Sequence, residues 1–308
     1  MNDVFLFFGG LIVALLGAEC LVRGASYLAK MLGISSLVVG LTIVGFGTSS
    51  PELAVSALAS YQGEFELSLG NIIGSNIFNL LGILGMLAAI RPIKVHSQVV
   101  SLDLPVMLMC TALLWLLLQY ETIPIFWGPV LLAFLAFYTF VLLQVEKERV
   151  EKRPPFGFMT ILLSLVGVGV GLWMLVTGSE WLIQGAVGLG KAFGISERVM
   201  GLTIVAIGTS IPEIATCLVA LYRKQVDLAV GNIIGSNIYN ILAILSVSLL
   251  VSKSGITVAE DNRSFDLLFL LGVSLLTYLW LKKGHHMSRK MGWSFIVLYC
   301  LYVVWLVL

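Results

Sequence analysis

Residues 40–79 read GLTIVGFGTSSPELAVSALASYQGEFELSLGNIIGSNIFN, and residues 201–240 read GLTIVAIGTSIPEIATCLVALYRKQVDLAVGNIIGSNIYN. A constant offset of 161 positions aligns the two stretches without a gap, and 23 of their 40 positions are identical. The identities gather at GTSxPE and at GNIIGSNIxN, which are polar and helix-breaking residues set inside apolar runs. Apolar runs need no such residues to fold, so these two copies read as the working site and the remainder as the frame that holds them. The same offset recurs outside the motifs: Gly17, Glu19, Leu21, Gly24, Gly33, Ile34 and Ser35 match Gly178, Glu180, Leu182, Gly185, Gly194, Ile195 and Ser196.

The chain has 308 residues, of which 59% are hydrophobic and 11% charged. A soluble domain carries about a quarter charged residues, so the composition is that of an integral membrane protein. A helical span needs about 20 apolar residues. The apolar runs are too long and too uniform for barrel strands, which alternate over about ten residues. Helices also satisfy their own backbone polar groups in lipid. The expected spans cover residues 4–30, 37–60, 67–90, 102–119, 124–145, 156–191, 199–222, 228–251, 265–281 and 291–308, ten in all. The fold class is therefore all-α, with ten transmembrane helices in two five-helix repeats. Residues 1–145 form the first repeat, 146–155 a short charged linker and 156–308 the second. An odd number of crossings per repeat makes the second enter the membrane from the opposite side. The repeats are thus inverted, the plan in which transporters place a substrate near the midplane between discontinuous helices.

Basic residues set the orientation. The loops after odd-numbered helices hold 13 Lys and Arg, among them Lys30, Arg91, Arg149, Arg223 and Lys282, and the opposite loops hold 4, Lys191, Arg198, Lys253 and Arg263. The richer side faces the cytoplasm, so both termini are expected outside a plasma (inner) membrane that the chain crosses many times. Met1, Asn2 and Asp3 carry no basic charge and the first apolar run is too long for a signal-peptide core, so that run reads as a span. Cys20, Cys110, Cys217 and Cys300 each stand alone in apolar sequence, with neither metal-site nor disulfide spacing. A net charge of +1 gives no reason to expect a nucleic-acid partner. The partners expected are inorganic cations and membrane lipid, with the monomer as the functional unit.

Glu52 and Glu213 fall near the middle of their spans, and no Lys or Arg lies within either span. A carboxylate at that depth costs several kcal/mol unless it is paired, hydrated or bound to a cation. Two matched acids without a basic neighbour in their helices therefore point to a cation. Pro51 and Pro212 immediately precede them and remove a backbone donor while crowding the preceding turn. Carbonyls around Gly45–Thr48 and Ala206–Thr209 then need partners that bare lipid does not supply. Thr48 and Ser49 share the helix face of Glu52, and Thr209 and Ser210 that of Glu213. In the following spans Asn71, Ser75 and Asn79 share one face, as do Asn232, Ser236 and Asn240. The pairs Gly70/Gly74 and Gly231/Gly235 read as GxxxG packing devices. This ligand set is hard oxygen, which argues against softer metals and suits Ca²⁺, which takes about 6 to 8 flexible oxygens. Two ionised glutamates carry a charge of −2, which one Ca²⁺ or two monovalent cations neutralise. A site that must stay compensated can alternate between the two loads, which is the physical basis for exchange.

At these residues the chain resembles the sodium/calcium exchangers of the calcium/cation antiporter superfamily, prokaryotic type, through both motifs and the ten-helix inverted plan. The resemblance implies a central Ca²⁺ site made by Thr48, Glu52, Thr209 and Glu213. It implies flanking Na⁺ sites from Ser49, Ser75 and the Gly45 carbonyl, and from Ser210, Ser236 and the Ala206 carbonyl, with Asn79 and Asn240 between the glutamates. It also implies exchange of three Na⁺ for one Ca²⁺, with the first and sixth helices sliding against a fixed core. Proton/calcium exchangers of the superfamily typically carry a Gly-Asn-x-x-Glu motif where this chain has GTSSPE and GTSIPE, which favours Na⁺ as the counter-ion. Some members carry Asp at the position of Asn79 or Asn240; Asn at both leaves out a third carboxylate, which weakens the case for K⁺ co-transport and leaves the ion count open. The function expected is an alternating-access antiporter, not an enzyme, with Ca²⁺ and Na⁺ as transported ions and no organic cofactor. The rivals are an H⁺-coupled Ca²⁺ exchanger of the same fold and a cation channel lined by the same oxygens. An intramembrane enzyme would need a base for Ser49 or Ser210, and the sequence has neither HExxH nor GxSxG. Glu19 and Glu180, in the sliding helices, read as structural or vestibule residues, Glu19 with Arg23 one turn on.

Overall fold

The computed structural model describes residues 2–147, 158–192, 208–258 and 265–307. Most of the charged linker, Arg198, Ala206, Arg263 and residues 199–207 of the expected seventh span lie outside them. Helix α1 covers Asn2–Leu32. A bent pair follows, α2 (Ser36–Thr48) and α3 (Ser50–Gln62), turned 46° from one another. Then come α4 (Phe65–Ile90), α5 (Val99–Leu117), α6 (Trp127–Lys147), α7 (Phe158–Ala192), α8 (Ile211–Tyr222), α9 (Val226–Val251), α10 (Phe265–Gly284) and α11 (Arg289–Val307). Eight of these are long and apolar enough to cross a membrane, nine if the bent pair is one span, and α8 is a shorter apolar helix. The described residues thus make an all-helical membrane protein.

The helix ends follow from sequence. Asp3 and Lys30 sit in the first and last turns of α1, each at the end whose partial charge it complements. Gly33 closes α1 at φ 68°, and the Ile34 N–H reaches back to the Ala29 carbonyl at 3.0 Å, a left-handed cap that glycine adopts without strain. The Ser35 hydroxyl then accepts from the Val38 N–H at 3.3 Å and opens α2. After α3 the cap recurs at Gly63, φ 85°, and after α8 at its repeat mate Lys224, φ 60°. In these two, Glu64 N–H to Ala59 and Gln225 N–H to Ala220 both measure 2.8 Å. The repeat therefore specifies the turn even where its glycine is lost.

Two compact units mix the sequence halves. One holds Met1–Ser49 and Leu143–Asn232, the other Ser50–Leu142 and Ile233–Leu306. In the first, α1 and α7 run antiparallel along a seam of small residues at seven-residue spacing. Gly10 faces Gly178, Gly17 faces Gly171, and Gly24 faces Ser164. A Cβ at Gly171 would stand 2.5 Å from the Leu21 nitrogen, and one at Gly17 2.7 Å from that of Leu175. Without a hydrophobic drive between helices in lipid, such backbone approach supplies the packing energy. Gly231 of the expected GxxxG pair packs the same way against Leu37 and Leu41. At Gly70 and Gly74 no described atom would meet a Cβ within 4 Å.

In the second unit α4 packs on α3, and α10 on α5. Two small antiparallel ladders tie its loops: β1 (Ile93–Lys94) with β4 (His286–Met287), and β2 (Thr122–Ile123) with β3 (Ile256–Thr257). The seam in the first unit sets a stability test. Gly171→Ala is expected to lower the melting temperature of the detergent-solubilised protein by the equivalent of about 1–3 kcal/mol, the usual penalty of overpacking. Gly169→Ala, where nothing lies within 4 Å, is expected to leave it unchanged. Equal melting of the two variants contradicts the seam.

Candidate cation-binding site

The helix breaks do not lie at the prolines. Ser49 ends α2 with φ −80° and ψ 9°, and Ser210 precedes α8 with φ −90° and ψ 10°. A ψ near zero lies well outside the helical value of about −42°, so each serine leaves the helix in the sparsely populated bridge region. Pro51 and Pro212 then occupy the first turn of the new helices, where a missing N–H is no loss and the fixed φ suits the start. The sequence suggests a kink within one helix. The geometry is instead a stop at serine followed by a fresh start. Glu52 and Glu213 consequently stand in the first turns of α3 and α8, where the positive end of the helix favours a carboxylate. Each is only 1% exposed.

In the first unit, the Ser49 hydroxyl donates to Glu213 Oε1 at 3.2 Å. The Thr48 hydroxyl donates to Asn232 Oδ1 at 3.0 Å and lies 3.4 Å from the Gly45 carbonyl. That carbonyl also accepts the Ser49 N–H at 3.1 Å. Asn232 is held from behind by Cys217, with Nδ2 3.4 Å from Sγ. Ser210 is buried, and Thr209 Oγ1 is buried with no hydrogen-bond partner among the described residues. Ala206 falls outside the described residues.

In the second unit, Asn71 Nδ2 donates to the Glu52 carbonyl at 3.1 Å and to Ser56 Oγ at 2.9 Å. Asn71 is thus a brace between α4 and α3. The Ser75 hydroxyl donates to the Asn71 carbonyl at 2.6 Å and accepts Asn240 Nδ2 at 2.9 Å. Asn240 Nδ2 also reaches Asn76 Oδ1, and Asn79 Nδ2 reaches Asn237 Oδ1, both at 3.0 Å. Oδ1 of Asn79 and Oδ1 of Asn240 are buried and accept no hydrogen bond among the described residues. Ser236 is buried nearby in sequence. Both asparagines fall where the helix widens to a π-helical turn, Phe78–Leu84 and Asn240–Ile244, a distortion common at functional sites.

The candidates therefore gather in two sets. Thr48, Ser49 and Glu213 belong to the first unit with Gly45, Thr209, Ser210 and Asn232. Glu52, Ser75, Asn79, Ser236 and Asn240 belong to the second. Among the described residues no three His, Cys, Asp or Glu side chains come together, so a cation held by either set rests largely on neutral oxygens. Sequence reasoning passed over Asn76, Asn237 and Cys217. The two asparagines stand inside the quoted motif, and their exact repetition was the available signal. It also missed a second partner of Glu19. Arg23 pairs with Glu19 at 2.7 Å as expected, and Arg223, at the end of α8, bonds it too, with Nε 2.6 Å from Oε2.

A sequence profile of the family described as sodium/calcium exchanger protein matches residues 3–144 and 163–308. The inner membrane protein YrbG of Escherichia coli is 33% identical over 309 residues, which span 96% of this chain and 93% of YrbG. The sodium/calcium exchanger MaX1 of Methanosarcina acetivorans is 29% identical over 346 residues, 97% of this chain and 95% of MaX1. Among solved structures, the sodium-calcium exchanger NCX_Mj soaked with 2.5 mM Na⁺ and 1 mM Sr²⁺ superposes with a TM-score of 0.87 at 31% identity, covering 99% of this chain and 98% of that one.

The Asn71 brace can be probed by stability alone. Asn71→Ala is expected to lower the melting temperature by the equivalent of about 1–2 kcal/mol, because two acceptors lose their donor. Asn71→Asp, which keeps the shape and removes the N–H groups, is expected to behave alike. An Asp variant as stable as the parent would show that shape, not donation, holds α4 to α3.

Proposed function

The chain belongs to the sodium/calcium exchanger family, and from that premise we propose that it is an alternating-access antiporter that exchanges Ca²⁺ for Na⁺ across the membrane. It is a transporter rather than an enzyme. The observation that carries the reading is the matched pair Glu52 and Glu213, each buried in the first turn of a helix that restarts after a serine break. On this reading Glu52 and Glu213, with Thr48 and Thr209, hold Ca²⁺. Na⁺ takes the flanking oxygens of Ser49, Ser75 and Gly45 and of Ser210, Ser236 and Ala206, and the amide oxygens of Asn79 and Asn240, between the glutamates, serve either cation. The two carboxylates require positive charge at all times, which ties the exit of one cation to the entry of the other. The helix N-terminus beside each carboxylate offsets part of its charge and keeps the hold weak enough for release.

The ten-span inverted plan, with repeats 1–145 and 156–308 around the linker 146–155, is part of the proposal, and the strand ladders support it. Paired strands lie on one side of a membrane, so an even number of crossings must separate them. Among the described residues, three long spans stand between β2 and β3, α6, α7 and α9. Between β1 and β4 stand five, with α5 and α10 added. Both odd counts become even with one further crossing between α7 and α9, which is where the apolar helix Ile211–Tyr222 lies. We further read the chain as a monomer in the plasma (inner) membrane, with its termini outside, the orientation that the distribution of basic loops favours.

The test is ⁴⁵Ca²⁺ uptake by proteoliposomes under an imposed gradient of Na⁺, H⁺ or K⁺. An outward Na⁺ gradient is expected to drive uptake, and Glu52→Gln and Glu213→Gln are each expected to reduce it to the level of protein-free vesicles while the protein stays folded. Uptake driven by H⁺ alone would make this a proton-coupled exchanger. Flux that persists with no counter-ion would make it a channel.

A further inference from the structure

We infer that Asn76 and Asn237 are positioning residues, which fix the side-chain amides of Asn240 and Asn79 so that oxygen, not nitrogen, is presented to a hard cation. The inference rests on the cation site proposed above and adds to it two residues that touch no ion themselves.

The argument runs from groups whose polarity is beyond doubt. A backbone carbonyl only accepts hydrogen bonds. The Asn76 amide stands 3.4 Å from the Asn237 carbonyl and the Asn237 amide 3.4 Å from the Asn76 carbonyl, a reciprocal pair joining the two repeats. Each amide therefore turns Nδ2 toward the other's backbone. For Asn237 a second acceptor agrees, since Nδ2 lies 3.7 Å from Met107 Sδ. With the nitrogens committed, Oδ1 of Asn76 must face Asn240 and Oδ1 of Asn237 must face Asn79. At 3.0 Å in both cases, only an N–H can sit opposite.

Asn240 has a second lock. Its Nδ2 also meets Ser75 Oγ, whose own proton is given to the Asn71 carbonyl at 2.6 Å. A flipped Asn240 would set its oxygen against two acceptors. The outcome at both positions is a buried Oδ1 without a hydrogen bond among the described residues, an expensive arrangement for an idle group and a fitting one for a ligand. Amide orientation is ordinarily an assignment; here the chain from backbone carbonyl to side chain determines it. Asparagine at 79 and 240 thereby offers an oxygen dipole with no added charge, so the glutamates alone set how many positive charges the site takes.

The links are crosswise, Asn76 with Asn240 and Asn237 with Asn79, and this makes the inference testable against simple structural damage. The readout is the Ca²⁺ dissociation constant of the purified full chain by titration calorimetry. Asn76→Ala and Asn237→Ala are each expected to weaken binding by about tenfold or more, as loss of a ligand-orienting partner does. Asn76→Ala should have less than about a twofold effect in an Asn240→Ala background and its full effect in an Asn79→Ala background, because sites that act through one group are not additive. Asn237→Ala should show the reverse pattern. Where an alanine variant does not fold, Asn76→Ser and Asn237→Ser, which leave a smaller void, carry the same comparison. Equal effects in both backgrounds, or no effect on binding, overturn the inference. A parent protein that binds no Ca²⁺ at all instead removes the functional reading, and the two failures are thus distinct.

Discussion

A carboxylate taken out of water and into a membrane must meet positive charge, and the architecture of this chain follows from meeting that demand twice. A permanent partner such as lysine would satisfy it once and leave an inert ion pair. Here neither glutamate-bearing span contains a basic residue, and each glutamate stands at the N-terminal dipole of α3 or α8, worth about half a charge, with a serine hydroxyl on Glu213. The helix must therefore start at the glutamate, and this requires the break one turn earlier. The break in turn frees backbone groups that only a buried polar setting can serve. Serine, proline and glutamate in one short run are one device.

That device was legible in the sequence because it combines residues with strong and separate meanings at a fixed offset. The helical class and most spans were legible for the same kind of reason, since long apolar runs have few alternatives. The place of the break was not. Proline's tendency to kink points to positions 51 and 212, whereas the backbone departs from helical geometry earlier, at Ser49 and Ser210. Serine gives no sign of this in sequence, because it tolerates both conformations. The π-helical turns at Asn79 and Asn240 left no mark either, since a one-residue widening does not alter hydropathy.

Other silent features are contacts between distant positions. Glu19 and Arg23 are one turn apart and were readable, whereas Arg223 reaches Glu19 from 204 residues away and no local pattern announces it. Asn71 and Asn232 looked alike as mates in the repeat. Yet Asn71 braces a backbone carbonyl and Ser56, while Asn232 accepts from Thr48 and leans on Cys217. A repeat transmits fold more faithfully than it transmits partners, as Lys224 in the turn of Gly63 also illustrates.

Several polar groups of the two motifs are closed between repeats. In one unit Ser49 of the first copy serves Glu213 of the second, and Thr48 serves Asn232. In the other, Asn76 and Asn237 exchange bonds across the copies, and each orients an asparagine of the opposite copy. A buried donor or acceptor without its partner costs about 1–3 kcal/mol, and in lipid no water stands ready to replace it. One repeat alone would carry several such debts at once. The duplication is therefore not two sites placed side by side. Each copy supplies the groups that make the other copy's interior tolerable, and a change to one motif is felt first by residues of its mate.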